Sequence, residues 1–281
     1  MTNAGSGRYG PLQAGSNMFD SHDQLTGVFL SHEQTSGVNH ALQASECLDH
    51  QRRLRVIALT GCDGSGKSTL ATSLVAQLRQ QGPTVQIYLG QSSGHIGGWI
   101  GTVPIIGPLL ERYLLRQSER VHGRLAGAPG IVPAFVIYLL SCWRALKFRR
   151  MLAQSRRGVL VITDRYPQVE VPGFRFDGPQ LAKTSGGSWL VRRLRAHERR
   201  LYRWMAAYIP LLVIRLNVDA DTAHARKPDH KLAVLREKAA ILPRLTFNGA
   251  RILDLDSREP LDTIRDASLR AVSKALRRCQ P

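Results

Sequence analysis

Residues 61–69, Gly-Cys-Asp-Gly-Ser-Gly-Lys-Ser-Thr, decide the fold, because they match the glycine-rich pattern G-x-x-x-x-G-K-[S/T]. Residues 54–60, directly before the pattern, are a short apolar run that is typical of a buried parallel strand. Directly after it, a helix is predicted over residues 68–81, where apolar residues recur at helical spacing before Gly82 and Pro83. A strand, the motif and a helix in this order are the context that makes the pattern specific.

The chemistry of this motif is phosphate binding. Its glycines allow successive backbone N–H groups to turn inward around a phosphate, and the start of the helix adds partial positive charge. Lys67 can reach the β- and γ-phosphates, and the Ser68 hydroxyl is a ligand for Mg²⁺. We therefore predict that the loop binds ATP together with Mg²⁺. The predicted ATP-binding residues are Gly61, Asp63, Gly64, Ser65, Gly66, Lys67, Ser68 and Thr69.

Strands and helices alternate along the rest of the chain. The further predicted strands are residues 85–89, 159–163, 211–216 and 250–255. The further predicted helices are residues 109–125, 134–154, 189–208 and 260–278, with short basic helices between the last two strands. Such alternation predicts a parallel sheet that is covered on both faces. The fold class is therefore α/β, a three-layer P-loop NTPase fold with a five-stranded parallel sheet.

Residues 1–50 differ from the rest in composition. They are rich in Gly, Ser, Asn, Gln and His, and their few apolar residues show no period. Such a segment cannot bury enough apolar surface to offset its chain entropy. We predict a disordered tail over residues 1–50 and a P-loop kinase domain over residues 51–281.

The charge of the chain favours anionic partners. Of its 281 residues, 39 are Lys or Arg and 21 are Asp or Glu, for a formal net charge of +18, and only one cation, Arg8, lies in the first fifty residues. A basic surface of this kind suits nucleotides, nucleic acid or anionic lipid, although solvated arginines without a specific task are the alternative interpretation. The longest apolar run, residues 131–143, is shorter than the roughly 18 residues that a membrane span needs. We therefore expect no spanning segment and, without a signal or transit peptide, a cytoplasmic location.

A second candidate site follows the third predicted strand, at Asp164, Arg165 and Tyr166. The carboxyl ends of parallel strands meet at one edge of a sheet, so Asp164 should lie beside the phosphate loop and hold the metal with Ser68. The Arg165 guanidinium matches two phosphate oxygens. An ordinary loop with an ion pair is the alternative interpretation.

A third constellation is the basic segment 226–238, within a predicted lid at residues 224–240. A lid between the last two strands could bring Arg226 or Arg236 onto the triphosphate and exclude water. A solvated amphipathic helix, with Leu232, Leu235 and Ala239 packing inward, is the alternative interpretation.

These three segments together resemble the thymidylate kinase family of P-loop nucleoside monophosphate kinases over most of residues 54–278. The family's GxDGxGKST motif is matched by residues 61–69, and its D-R-[Y/F/H] motif by residues 164–166. Arg144 is the best match to an arginine on the preceding helix, and residues 226–238 loosely match a basic lid. In members whose P-loop lacks an arginine the lid supplies the catalytic cations, and Gly64 leaves this P-loop without one.

The resemblance implies in-line phosphoryl transfer from ATP to a small phosphate acceptor, with dTMP as the first candidate, in a homodimer. It implies that Asp63 lies near the acceptor sugar or the metal, and that Arg144 and Arg165 hold the acceptor phosphate. It also implies that Arg226 or Arg236 stabilises the transferring group. The predicted catalytic residues are Lys67, Asp164, Arg165, Arg226 and Arg236.

Two departures from the family touch the acceptor side. The family's R-E-P segment after the second strand is replaced by residues 89–94, and Trp143 stands where an acid usually precedes the arginine. One alternative is therefore a kinase of the same fold for a sugar or lipid-linked intermediate of surface polysaccharide assembly. Another is a non-catalytic, nucleotide-gated protein that docks on nucleic acid or anionic membrane. Nucleic acid is the less expected partner, because few aromatic residues lie near the basic residues 192–203.

Overall fold

The computed structural model describes residues 53–90, 129–183 and 186–278. The predicted tail over residues 1–50 and the predicted helix over residues 109–125 lie outside these ranges. The elements follow in the order β1 (Arg53–Gly61), α1 (Lys67–Leu78), β2 (Thr84–Tyr88), α2 (Ile131–Arg156), β3 (Leu160–Asp164), α3 (Trp189–Ala206), β4 (Ile209–Asn217), α4 (Ala220–Arg226), α5 (Leu232–Ile241), β5 (Ile252–Asp256) and α6 (Leu261–Arg277).

The five strands form one parallel sheet in the order β2-β3-β1-β4-β5. β1 is central, and its Ile57 lies opposite Ile162 of β3 and Leu212 of β4. Residues 56–59 of β1 are fully buried, as their unbroken apolar sequence requires of a strand that is covered on both faces. The predicted α/β fold with a five-stranded parallel sheet is confirmed.

Helices cover both faces of the sheet, because side chains alternate between the faces along each strand. On one face, Ile57 and Leu59 pack with Leu70 of α1 and Val272 of α6. The other face receives residues from α2, α3 and α5, among them Phe148, Met151, Tyr202 and Leu235. The predicted three layers are therefore present.

Arg215 of β4 fixes the segment between α5 and β5. Its guanidinium is buried, pairs with Asp254 of β5 at 2.6 Å, and donates to the carbonyl oxygens of Leu242 and Leu245 at 3.1 Å each. Because a buried guanidinium needs all of these partners, it holds the end of α5 against the sheet.

The helix α2 is longer than its prediction and has a mean hydropathy of 1.5 over an 18-residue window. By length and composition it is the one helix in the described ranges that could cross a membrane, although only 39% of that window is buried. The core helix of a fold passes the same test of length and composition, so the expectation of no spanning segment stays a prediction. In the structure α2 packs one face on the sheet through Phe148, Met151 and Leu152, as a core helix does.

Substituting Phe148→Ala should destabilise the fold by about 3–5 kcal/mol, because a fully buried ring is lost and a cavity remains. The Phe148 ring lies 5.5 to 5.9 Å from the rings of Tyr166, Trp204 and Tyr208. The matched control is Phe135→Ala on the same helix, where the side chain is 50% exposed and the expected cost is less than about 1 kcal/mol. Urea unfolding measures both, and equal losses would contradict the assignment of the buried face.

Candidate nucleotide-binding site

The loop between β1 and α1 closes tightly on its neighbours. Gly61, Gly64 and Gly66 have φ angles of 154°, 86° and 82°, a region that favours glycine. A Cβ atom at Gly61 would lie 2.7 Å from the carbonyl oxygen of Leu216, and one at Gly64 would lie 2.7 Å from that of Ala223. The loop can therefore lie directly against the end of β4 and against α4 only because these glycines have no side chain.

Lys67 is the first residue of α1, and its side chain turns back over the loop. The buried ammonium group donates to the carbonyl oxygen of Cys62 at 2.6 Å. Burial, with repulsion from Arg165 as a further cause, lowers the pKa of Lys67 to about 8. An anionic ligand in the loop would therefore stabilise the charged form of Lys67.

Ser68 and Asp164 lie side by side, as predicted for two metal ligands. The Ser68 hydroxyl donates to Oδ2 of Asp164 at 3.0 Å. Asp164 ends β3 next to Leu59 of β1, and its carboxylate is buried. Its Oδ1 atom has no hydrogen-bond partner among the described residues, which is unusual for a buried carboxylate.

These two residues fit a Mg²⁺ ion. Mg²⁺ accepts one or two protein oxygens together with phosphate oxygens and water, and Oδ1 of Asp164 and the Ser68 hydroxyl are such oxygens. Within the described ranges no group of three or more His, Cys, Asp or Glu residues could hold a metal ion.

A chain of ion pairs connects the loop to α5 on one side and α2 on the other. Asp63 accepts from Arg165 at 2.9 Å and pairs with Lys238 of α5. Asp177 pairs with Arg144 of α2 at 3.0 Å and with Arg165 at 3.6 Å. Burial alone would raise the pKa of Asp63, but Lys238 and Arg165 outweigh it and hold that pKa well below its ordinary value. Asp63 is therefore ionised throughout the neutral range.

Arg144, predicted to hold an acceptor phosphate, is almost fully buried within this network. It also donates to the carbonyl oxygen of Asp177 at 3.3 Å and to the Tyr202 hydroxyl at 3.5 Å. One turn further along α2, Lys147 donates to the carbonyl oxygen of Gly90. Burial and the nearby Arg144 charge lower the pKa of Lys147 to about 8. Of the two, Lys147 is the cation at the end of β2, where the acceptor side was predicted.

The two candidate lid arginines occupy different places. Arg226, at the end of α4, donates to the carbonyl oxygens of Gly64 at 3.4 Å and Ser257 at 3.1 Å, so it lies at the loop. Arg236 is 64% exposed and pairs with Asp221 at 3.5 Å. The lid segment 224–240 thus supplies Arg226 and Lys238 to the loop, whereas Arg236 faces α4. The fully buried Leu235 shows that α5 also packs in the way the alternative interpretation expected.

Sequence reasoning did not select Asp177, Lys147 or Lys238 for the site. Lys238 is the last residue of the basic segment 226–238. A comparison of the helical positions of Lys238 and Arg236 would have predicted that the two side chains lie on different sides of the helix. Asp177 lies in a loop rich in Pro and Gly, without a periodic pattern to single it out.

A cavity of about 300 Å³ lies on the other side of the loop, at the carboxyl ends of β4 and β5. Cys62, Asn217, Asp256 and Arg258 are among its lining residues. Because β1 is central, the loop separates this cavity from the ion pairs at the end of β3. The site therefore has a phosphate loop in the middle, a cavity towards β5 and a charged network towards β2.

Comparison with known proteins gives three similar chains, and no protein-family model matches. The chain is 61% identical over 223 residues to the uncharacterized ATP-binding protein YghS of Escherichia coli K12, which covers 79% of this chain and 94% of YghS. It is 40% identical over 218 residues to the uncharacterized ATP-binding protein YghR of the same strain, which covers 78% of this chain and 86% of YghR. YghR of E. coli O6:H1 strain CFT073 gives the same values.

Replacing Gly64 by alanine should destabilise the protein more than replacing Gly158. Both glycines have a left-handed backbone conformation, with φ angles of 86° and 81°, so alanine at either position should lower the free energy of unfolding by about 1–2 kcal/mol. Only at Gly64 does the new Cβ atom meet a neighbour, the carbonyl oxygen of Ala223 at 2.7 Å, whereas Gly158 borders open space. Urea unfolding and ATP titration measure the effects. Gly64→Ala should lose additional stability and nucleotide affinity, and equal behaviour of the two variants would contradict the close contact with α4.

Above pH 8, Lys67 should take up a proton when ATP binds, because bound phosphates raise the pKa of Lys67 from its value of about 8. ATP affinity should then fall by up to about tenfold per pH unit above pH 8, and Lys67 should contribute little to pH dependence below it. Isothermal titration calorimetry at pH 9, in two buffers of different ionisation enthalpy, measures the uptake.

Lys67→Arg is the variant that should abolish this uptake, since arginine stays charged. Lys147→Met is the matched control, because the pKa of Lys147 is also lowered to about 8 but its ammonium lies on the acceptor side. Uptake that persists in Lys67→Arg, or disappears in Lys147→Met, would contradict the assignment to Lys67.

Proposed function

Because the chain belongs to the family of the ATP-binding proteins YghS and YghR, we propose that it binds ATP with Mg²⁺ and acts as a P-loop kinase. The observation that carries this proposal is the 3.0 Å contact of Ser68 with Asp164, whose Oδ1 atom is buried without a donor. A loop that only bound phosphate would need no carboxylate beside its serine. An enzyme that transfers the γ-phosphoryl group, whether a kinase or another P-loop NTPase, needs one to hold the metal, and the basic groups towards β2 favour the kinase.

In the proposed complex the triphosphate lies in the loop under Lys67, and the nucleoside occupies the cavity towards β5, beside Cys62 and Asn217. Mg²⁺, held by Ser68 and Asp164, would neutralise the charge on the transferred phosphoryl group. Arg226 is already anchored at the Gly64 carbonyl oxygen and would need only a small movement to reach a phosphate. Catalysis would then rest on positioning and charge, without a strong base.

The acceptor is proposed to bind towards β2, where the charges favour an anion. Among the described residues, Arg144, Lys147, Arg165 and Lys238 stand against Asp63 and Asp177 there, and a third acid, Asp164, lies beside Arg165 and is assigned to the metal. Such a surplus suits an acceptor that already carries a phosphate. We therefore propose a nucleoside monophosphate, with dTMP as the first candidate, in keeping with the resemblance of residues 164–166 to thymidylate kinases. A homodimer belongs to the same proposal.

A second candidate acceptor is a lipid-linked or sugar intermediate. The observation that favours it is the exposed apolar surface of α2 directly before Arg144, where Phe135, Leu139 and Trp143 are 50%, 42% and 40% exposed. A lipid chain could lie on this surface while its phosphate reached Lys147.

A coupled ADP-release assay across nucleoside monophosphates and phosphorylated sugars, with Mg²⁺, tests the proposal. Lys67→Ala and Asp164→Asn should each lower kcat by about 10²–10³-fold for every acceptor. Arg165→Ala should chiefly raise the KM for the acceptor, because its guanidinium faces that side. Arg226→Ala should lose activity, and its matched control Arg236→Ala should retain it, since only Arg226 lies at the loop.

The result also separates the alternatives. Stimulation by dTMP alone supports the thymidylate kinase assignment, and stimulation by a phosphorylated sugar alone supports the second candidate. ATP binding without stimulation by any acceptor would contradict a kinase and favour a nucleotide-gated binding protein.

A further inference from the structure

The helix α2 carries an apolar stripe that does not pack into the fold. Its large exposed apolar residues are Ile131, Val132, Phe135, Leu139, Trp143 and Leu146, between 40% and 53% exposed. They recur every three or four residues after Val132, so they lie on one side of the helix, opposite the residues that pack on the sheet. Contiguous exposed apolar surface of this kind marks an interaction site.

Two arginines lie at the C-terminal end of this stripe. Arg149 and Arg150 follow Leu146 by three and four residues, and both are exposed, so the stripe continues into positive charge. The Arg149 guanidinium lies 5.7 Å from the ring of Trp204 in α3, which brings that helix to the same border.

The helix α3 runs alongside α2 and adds further cations. The ring of His197 lies 6.3 Å from that of Tyr138, and the Glu198 carboxylate accepts from Ser141 at 2.8 Å. Arg193 and Arg200 are exposed and stand four residues before and three residues after His197, so they lie on its side of α3.

The two helices expose no acid. The sequence of α2 contains neither Asp nor Glu, and that of α3 contains only Glu198. Glu198 is fully buried and also accepts from the backbone N–H of Leu181 at 2.8 Å. Trp189, the first residue of α3, is 65% exposed. We call the stripe of α2, with these arginines and Trp189, the α2–α3 face.

Charge complementarity indicates which kind of partner binds this face. A second copy that met this face with its own α2–α3 face would bring the same arginines without an exposed acid to meet them. Residues 91–128, which precede α2, carry four arginines against two glutamates and are no better matched, and residues 1–50, with five acids against Arg8, would meet the arginines but hold too few apolar residues for the stripe. A nucleic acid would match the arginines but leave the aliphatic stripe in water. An anionic bilayer matches both, since apolar side chains and Trp enter the interface while arginines meet lipid phosphates.

We propose that the α2–α3 face docks the protein on the surface of an anionic phospholipid membrane. The stripe inserts among the lipid headgroups and the arginines contact lipid phosphates. Because α2 also packs on the sheet, the protein binds at the membrane surface and α2 does not cross the bilayer. This docking does not depend on the proposed kinase activity.

Co-sedimentation of the full chain with vesicles tests the proposal. The vesicles are phosphatidylcholine alone or phosphatidylcholine mixed with phosphatidylglycerol, at low and high salt. Binding should require phosphatidylglycerol and weaken with salt. Phe135→Ser with Leu139→Ser should weaken it at least about tenfold, and Arg193→Glu with Arg200→Glu roughly 10²-fold. The matched control, Arg270→Glu with Arg277→Glu, makes the same charge change on exposed positions of α6, on the other face of the sheet, and should bind within about threefold of the original protein.

A spectroscopic measurement places the contact on this face. Brominated lipid in the vesicles should quench the fluorescence of Trp143 and Trp189, and Trp143→Phe with Trp189→Phe should still sediment but lose most of the quenching. All substituted side chains are exposed, and urea unfolding checks that each variant is folded.

Four outcomes would overturn the proposal. The first is no sedimentation, or equal sedimentation with neutral vesicles. The second is an equal loss in the α6 control, which would assign binding to overall charge. The third is a dimer in light scattering that Phe135→Ser with Leu139→Ser disperses, which would assign the face to a second copy. The fourth is duplex DNA binding without vesicle binding, lost in Arg193→Glu with Arg200→Glu.

Discussion

The parallel pairing of β1 with β3 is the constraint on which the site depends. It places Leu59 opposite Asp164, so the first turn after β1 and the last residue of β3 meet at one edge of the sheet. Ser68, at the start of α1 directly after the phosphate loop, then reaches the Asp164 carboxylate across 3.0 Å. Because Leu59 and Asp164 lie in the buried centre of the sheet, this distance is set by the core and not by surface residues.

The ion pairs around Asp63 connect the phosphate loop, the end of β3 and α5, which lie far apart in the sequence. Lys238 brings α5 onto the phosphate loop, and Arg165 joins the same carboxylate to Asp177. Buried pairs of this kind contribute little net stability, because desolvation offsets most of the attraction, but losing one partner leaves an uncompensated charge. The network is therefore better understood as a means of fixing the loop, the end of β3 and α5 in one arrangement. Arg215 serves the same purpose at the C-terminal end of α5, where it holds the Leu242 carbonyl oxygen.

The helix α2 has two apolar surfaces with different roles. Phe148 and Met151 are fully buried against the sheet, whereas Phe135 and Leu139 are 50% and 42% exposed. Hydropathy averages both surfaces, which explains why the helix resembles a membrane span by composition while one of its faces packs in the core of the fold. The absence of acids from α2 and the burial of Glu198 in α3 give the exposed surface its one-sided charge.

The five strands, the helices of the described residues that cover them, and the positions of Lys67, Ser68 and Asp164 at one edge of the sheet could all be predicted from the sequence. These features depend on local patterns, because a glycine loop, a helical period and a strand end can each be recognised within a short stretch of sequence. Tertiary packing was needed to show that Lys238 pairs with Asp63, a residue 175 positions away, and that Arg226 lies at the loop while Arg236 does not. It also decided that Asp177 joins Arg144 to Arg165. The physical reason is that a helix of mixed charge offers several cations, and only its packing against the sheet fixes which one is buried and which one faces solvent.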